Sequence, residues 1–189
     1  VDFCLDQGKV TIGEVVGEPV QLIANDVSAA QDDEACVDVT VREFTMVRGY
    51  QANLQWDNSI ITYNRVQMLN STLGLTASNF NPSTSPANLR FTWDNLNPAT
   101  LADDAKLFQV CFDVVGNCEN TPTSAVTFES TTSSAIEFSD PAGMALPFTV
   151  DNGSVSVLDC GHTCNIGGVT QPSCPGDNGS ISVSVDADD

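Results

Sequence analysis

Apolar and polar residues alternate along most of this chain with a period of two. Val37, Val39 and Val41 interleave with Asp38, Thr40 and Arg42, the pattern of a strand with one face buried. Tyr50, Ala52, Leu54 and Trp56 repeat it, and Asp57-Asn58-Ser59 supplies a turn before Ile60–Tyr63. Phe108, Val110, Phe112 and Val114 share one face, opposite Gln109, Cys111 and Asp113. Leu89–Trp93, Ala125–Phe128, Ala135–Phe138 and Gly153–Leu158 read as further strands, and the Pro/Ser/Asn-rich stretch 79–88 reads as a loop. Leu101–Lys106 has the makings of one helical turn with Thr100 as its cap, but no long 3.6-residue stripe occurs. Short strands with frequent turns predict an all-β, antiparallel sandwich. The expected organisation is a sandwich over 1–158, a Cys/Gly-rich linker over 159–176 and an extended strand or tail over 177–189.

Charge narrows the function classes. The 189 residues include 25 acids and six Lys or Arg, giving a net charge of −19, and no basic residue follows Lys106. Nucleic-acid backbones and anionic lipid surfaces are therefore not expected partners. Hydrophobic residues still make up 41%, enough for a packed core rather than a disordered acidic chain. No apolar run approaches the roughly 18–20 residues that span a bilayer. No secretion signal is recognisable, so any export signal is expected to have been removed or to lie outside this sequence.

Seven cysteines, Cys4, Cys36, Cys111, Cys118, Cys160, Cys164 and Cys174, lack the paired CxxC knuckles of a zinc framework. Cys160-Gly-His162-Thr-Cys164 offers three alternate ligands and no fourth. With Ser, Thr and Asn abundant and Lys rare, disulfides in a secreted, extracellular protein are the better reading. The odd count leaves one thiol whose partner is expected in a neighbouring domain or chain.

Catalytic signals are thin, and no enzymatic activity is expected. His162 is the only histidine, and no G-x-S-x-G elbow accompanies it. The acidic clusters Asp32-Asp33-Glu34 and Asp103-Asp104, and Asp186 with Asp188, are candidate Ca²⁺ ligands, although solvated acidic turns explain them equally and no EF-hand pattern is present. Trp56 and Trp93 fall on core-facing positions, which argues against an exposed aromatic platform for sugars.

One stretch carries a family resemblance. "CVDVTVREFTMVRGYQANLQWDNSIITYNRVQ" and the later "LRFTW" and "DDAKLFQVCFDVVGN" resemble the cohesin module, in which a VxVxV strand precedes Gly-φ-Gln-φ-x-φ-x-φ-Asp, φ being apolar. Here that run is Gly49-Tyr50-Gln51-Ala52-Asn53-Leu54-Gln55-Trp56-Asp57. The resemblance spans roughly residues 10–158 and is most specific over 36–67. With cysteines in both strands, it is similar to cohesin-like modules of large secreted Bacteroidetes surface proteins. It implies a jelly-roll sandwich of about nine strands, with the strand at 36–44 beside that at 107–115 and the first strand beside the last. On that arrangement Cys36 is expected to bond Cys111, with Cys118 as the rival partner, and Cys4 to bond Cys160 or Cys164. Cohesins grip a dockerin with one sheet face, but no motif assigns residues here to that role.

The tail "VTQPSCPGDNGSISVSVDADD" resembles the opening of a gliding-adhesin-type repeat, which implies that the partner of Cys174 lies beyond this sequence. Asp177–Val183 also nearly repeats Asp151–Val157. Ile181, Val183 and Val185 form an apolar face with no following strand, so β-strand exchange with another copy, giving a head-to-tail filament, is one expectation; a generic turn at Asp-Asn-Gly-Ser is the other. The functional expectation is a non-catalytic structural or adhesive surface module that associates with itself or with neighbouring domains. The alternative is a binding module for a protein or glycan ligand.

Overall fold

The computed structural model describes residues 18–130, 134–158, 164–170 and 180–185. The chain runs through β1 (Val20–Ala24), β2 (Val27–Ala29), β3 (Glu34–Arg42), β4 (Val47–Gln55), β5 (Ile61–Gln67), β6 (Phe80–Thr84), β7 (Ala87–Ala99) and β8 (Ala105–Val114). It continues through β9 (Thr123–Phe128), β10 (Glu137–Ser139), β11 (Phe148–Asp151), β12 (Gly153–Val157), β13 (Cys164–Thr170) and β14 (Ser180–Val185).

Two sheets face each other. One has the order β11-β1-β3-β8-β5; the other has the order β2-β12-β9-β4-β7-β6, with β10 also pairing β4. The first and last strands of the first sheet are neighbours, because β1 runs parallel to β11. The β3–β8 neighbourhood implied by the resemblance is also present, in antiparallel register.

The alternating residues do what their period requires. Val37, Val39 and Val41 of β3 and Val110 and Phe112 of β8 are fully buried between the sheets, facing Ala52 and Leu54 of β4 and Leu89 and Phe91 of β7. Aromatic rings fill the centre: Phe91 and Phe108 meet edge to face with centroids 4.8 Å apart, and Phe44, Tyr50, Trp93 and Phe138 form a second cluster. Both tryptophans are core residues, as the alternation predicts. The Trp93 indole N–H donates to the Leu73 carbonyl at 2.7 Å, whereas the Trp56 indole N–H is buried with no hydrogen-bond partner among the described residues.

The strands are more numerous than the nine expected. The stretch 79–88, read as a loop, contains β6, which pairs with β7 through a tight connection holding a cis Ser85–Pro86 bond. Pro82 is tolerated because β6 is an edge strand, with no further neighbour among the described residues to receive its missing N–H. The helical turn expected at 101–106 is instead a β-turn closed by Ala105 N–H to the Ala102 carbonyl. Thr100 offers its hydroxyl to the Met46 N–H rather than to a helix end.

The segment read as a linker holds β13, which pairs with β14 in a separate two-stranded sheet. Gly167 and Gly168 obscured it: they sit at a register shift between Ile166 and Val169, where a bulge absorbs residues that break the alternation. The terminal strand carrying Ile181, Val183 and Val185 therefore has a ladder partner within its own chain.

Candidate functional site

The outer faces of the two sheets differ in chemistry. On the β3–β8–β5 face the polar side chains satisfy one another. Lys106 pairs with Asp38 at 2.8 Å, Gln109 donates to Asp38 at 2.8 Å and Gln67 donates to Gln109 at 2.6 Å. Further along, Arg65 grips both oxygens of Glu34, and Asn64 donates to Glu34 and Asp113. Between these groups Cys36 and Cys111, directly opposite in the ladder, form the disulfide implied by the resemblance. Cys118 is itself disulfide-bonded, which removes it as a rival for Cys36. Cys4, Cys160 and Cys174 lie outside the described residues, and Cys164 opens β13.

The acidic clusters considered for calcium serve local structure where they are described. Asp103 accepts the Glu43 N–H at 3.0 Å, and Asp104 holds Arg42 at 2.6 Å, raising the guanidinium pKa through hydrogen bond and charge. Asp32 sits in a positive-φ turn, the Asp33 carbonyl accepts from the Val114 N–H and Glu34 is committed to Arg65. Glu34, Cys36 and Cys111 do bring potential ligand atoms within 4.8 Å, but both sulfurs belong to the disulfide. Asp186 and Asp188, like His162, lie outside the described residues.

The opposite face is built differently. Along β7 the outward side chains include Arg90, Thr92 and Asp94; the outward positions of β4 beside them are Gly49 and Gln51; β10 contributes Glu137 and Ser139. Register places Ser139, Gly49 and Asp94 in one row across the sheet, and Glu137, Gln51 and Thr92 in the next. At the centre of the first row glycine supplies no side chain, so the surface dips. A Cβ on Gly49 would lie 3.3 Å from Ser139 Oγ and 3.4 Å from Asp94 Oδ1. Glycine within a strand marks a place where another group comes close to the backbone. The resulting open depression, about 360 Å³, is lined by these residues together with Asn79. A smaller one of about 180 Å³ adjoins it through Asn79 and Thr92 and holds Arg90 and Asn81. Arg90, Asp94 and Glu137 have no ion-pair partner among the described residues.

Sequence reasoning placed Gly49 and Gln51 in the most specific stretch of the resemblance but gave neither a role. It also missed Arg90, Asp94, Glu137 and Ser139, which converge only when β10 and β7 dock on either side of β4. An interrupted alternation at Gly49, just before Tyr50, was the available signal.

A two-sheet sandwich, antiparallel except for the β1–β11 and β2–β12 pairs, with one self-satisfied outer face and one face carrying unpaired charges around a depression, defines a β-sandwich interaction module. The chain belongs to the cohesin domain family, whose model matches residues 20–143. Among solved structures, a type I cohesin–dockerin complex from Clostridium thermocellum superposes with a TM-score of 0.63 at 13% identity, covering 74% of this chain and 99% of that one. A cohesin from Clostridium acetobutylicum gives 0.61 at 23% identity, with 75% and 92% covered. The non-cellulosomal cohesin of the archaeon Archaeoglobus fulgidus gives 0.59 at 19% identity, with 74% and 91% covered. No curated protein matches the chain. Among the described residues no helix is long and apolar enough to cross a membrane.

Proposed function

We propose that this chain is a non-catalytic protein-recognition module that binds a dockerin-type partner through the outer face of β10, β4, β7 and β6. The observation that carries the reading is the contrast between the two faces. Docking on the β3–β8–β5 face breaks side-chain pairs that already satisfy one another, whereas Arg90, Asp94 and Glu137 gain partners when the other face is covered. Cohesins of the same fold occur in complexes with dockerins. Interferometry against a panel of dockerin modules tests the proposal: saturable binding supports it if lost in Thr92→Trp and kept in Gln109→Trp. Binding that survives Thr92→Trp, or no binding across the panel, refutes it.

An extracellular setting is supported by the β3–β8 disulfide and by the bonded Cys118, since such bonds persist in oxidising compartments. A second reading, an adhesive surface protein that continues head-to-tail, draws on the β13–β14 ribbon. Two strands alone are marginally stable in water. Each strand of this ribbon pairs on one side only among the described residues, so a strand from a following repeat or a neighbouring copy completes it. Removing 164–189 leaves the sandwich monomeric on either reading; light scattering of the full chain decides whether copies associate.

A further inference from the structure

The depression over Gly49 has a chemical preference that shape alone does not give. Most of its free groups are acceptors. Ser139 spends its hydroxyl proton on the Gly49 carbonyl at 3.3 Å, leaving lone pairs. Gln51 turns its amide N–H toward Glu137 at 3.4 Å, leaving its side-chain carbonyl oxygen without a donor among the described residues. Asp94 leans over the glycine from one side, and Glu137 stands beside the next row. Two carboxylates, an amide oxygen and a hydroxyl oxygen outnumber the remaining donors, the Thr92 hydroxyl and the second Gln51 amide N–H, and this excess of acceptors suits a group that donates several hydrogen bonds and carries positive charge. Arg90 lies on the same face of β7, four residues from Asp94. At about 3.3 Å per residue that separation is about 13 Å. The face is thus polarised, with an acceptor-rich dimple at one end and an unpaired guanidinium at the other.

We propose that the Gly49 dimple seats a lysine or arginine side chain of the protein partner, and that Arg90 meets a carboxylate of the same partner about 13 Å away. The inference rests on the reading that the partner docks on this face, and adds which partner chemistry the face selects. In a protein of net charge −19, cations are attracted everywhere by the overall field, but that attraction is screened over about 8–10 Å at ordinary salt. A localised seat differs by its stereochemistry and by its pairing with a fixed cation that rejects an all-basic partner.

The test uses the full chain, ¹⁵N-labelled, titrated with the extended pentapeptide Ac-Lys-Thr-Ala-Thr-Glu-NH₂ and with its Lys-to-norleucine and Glu-to-Gln analogues. The expected result is a dissociation constant on the order of 1 mM with amide shifts at Gly49, Gln51, Thr92 and Asp94. The norleucine peptide binds at least about tenfold more weakly, a single charge-assisted contact being worth that much. Asp94→Asn combined with Glu137→Gln, both exposed and without a packing role, abolishes the preference for lysine. Arg90→Gln abolishes the preference for glutamate over glutamine. Asp32→Asn with Asp33→Asn controls for the overall field and changes affinity less than twofold. Equal binding of the lysine and norleucine peptides, shifts confined to other surfaces, or no shifts at about 20 mM peptide overturn the proposal. A dockerin whose binding is lost in Thr92→Trp but indifferent to the Asp94 and Glu137 variants removes the cation seat while leaving the face reading intact. A dockerin indifferent to Thr92→Trp removes the face reading itself.

Discussion

Cys36 and Cys111 stand directly opposite each other on β3 and β8 and are joined by a disulfide on the outer face of their sheet, with Gln67 donating to Cys111 Sγ at 3.2 Å. The bond links residues 75 apart in sequence without displacing any core group, since Val37, Val110 and Phe112 point the other way. Its contribution is therefore a constraint on the unfolded chain. Loop-entropy arguments put that at about 4 kcal/mol. The Cys36→Ser, Cys111→Ser double variant should fold to the same sandwich and unfold at markedly lower urea, with an unchanged binding face. An unchanged urea midpoint contradicts the assignment.

Two glycines separate structural need from surface shape. Gly153 begins β12 just after β11 ends, where the chain passes from one sheet to the other. A Cβ there would lie 2.3 Å from the Asn25 carbonyl oxygen and 2.9 Å from that of Ala24, both backbone atoms that cannot swing away. Gly153→Ala should cost on the order of 3 kcal/mol or prevent folding. Gly49→Ala meets its nearest atoms at 3.2–3.4 Å, two of them on side chains, and should cost less than about 1 kcal/mol while filling the dimple. Thermal melts of the two variants compare them directly; equal destabilisation is the contrary result.

Much of this fold was legible in the chain because most of its strands have one wet face. β3, β4 and β8 announce themselves through Val37-Val39-Val41, Ala52-Leu54 and Phe108-Val110-Phe112, and the resemblance carried by Gly49–Asp57 fixed their arrangement. β1 and β11 were not among the strands read from the sequence, and three others that escaped are short or interrupted. β2 has three residues, β6 carries Pro82 and begins with a single core residue, Phe80, and β13 is broken by two glycines at its bulge. The candidate site was harder to read for a different reason. Asp94, Glu137 and Ser139 are ordinary surface residues within their own strands, and only the register of β10 and β7 against β4 brings them around Gly49.

The tryptophans should respond differently to the same substitution. Trp93→Phe loses a buried, satisfied hydrogen bond and strands the Leu73 carbonyl, so a loss of about 2 kcal/mol or more is expected. Trp56→Phe removes an indole N–H that is buried without a partner among the described residues, which offsets part of the lost packing against Tyr63 and Phe112. Denaturant unfolding should therefore rank Trp56→Phe as the milder change; the reverse order contradicts the hydrogen-bond assignment.

Tyr50 gives a pH dependence with a definite sign. Burial among Phe44, Phe91, Trp93 and Phe138 raises its pKa well above the usual phenol value. The unfolded chain releases this proton near pH 10 while the folded protein holds it. The contribution to stability is complete below about pH 10 and is lost as pH rises beyond it. Tyr50→Phe should flatten the alkaline limb of the stability curve between about pH 10 and 11.5; an unaltered limb points to other groups.

The central claim is that recognition uses the β4–β7 face, and hydrogen exchange tests it most directly. With a bound dockerin-type partner, slowed exchange is predicted for amides in Gly49–Gln51, Arg90–Asp94 and Glu137–Ser139, with Cys36–Thr40 and Gln109–Asp113 unchanged. Slowed exchange confined to β3 and β8 would place the partner on the opposite sheet and contradict the account.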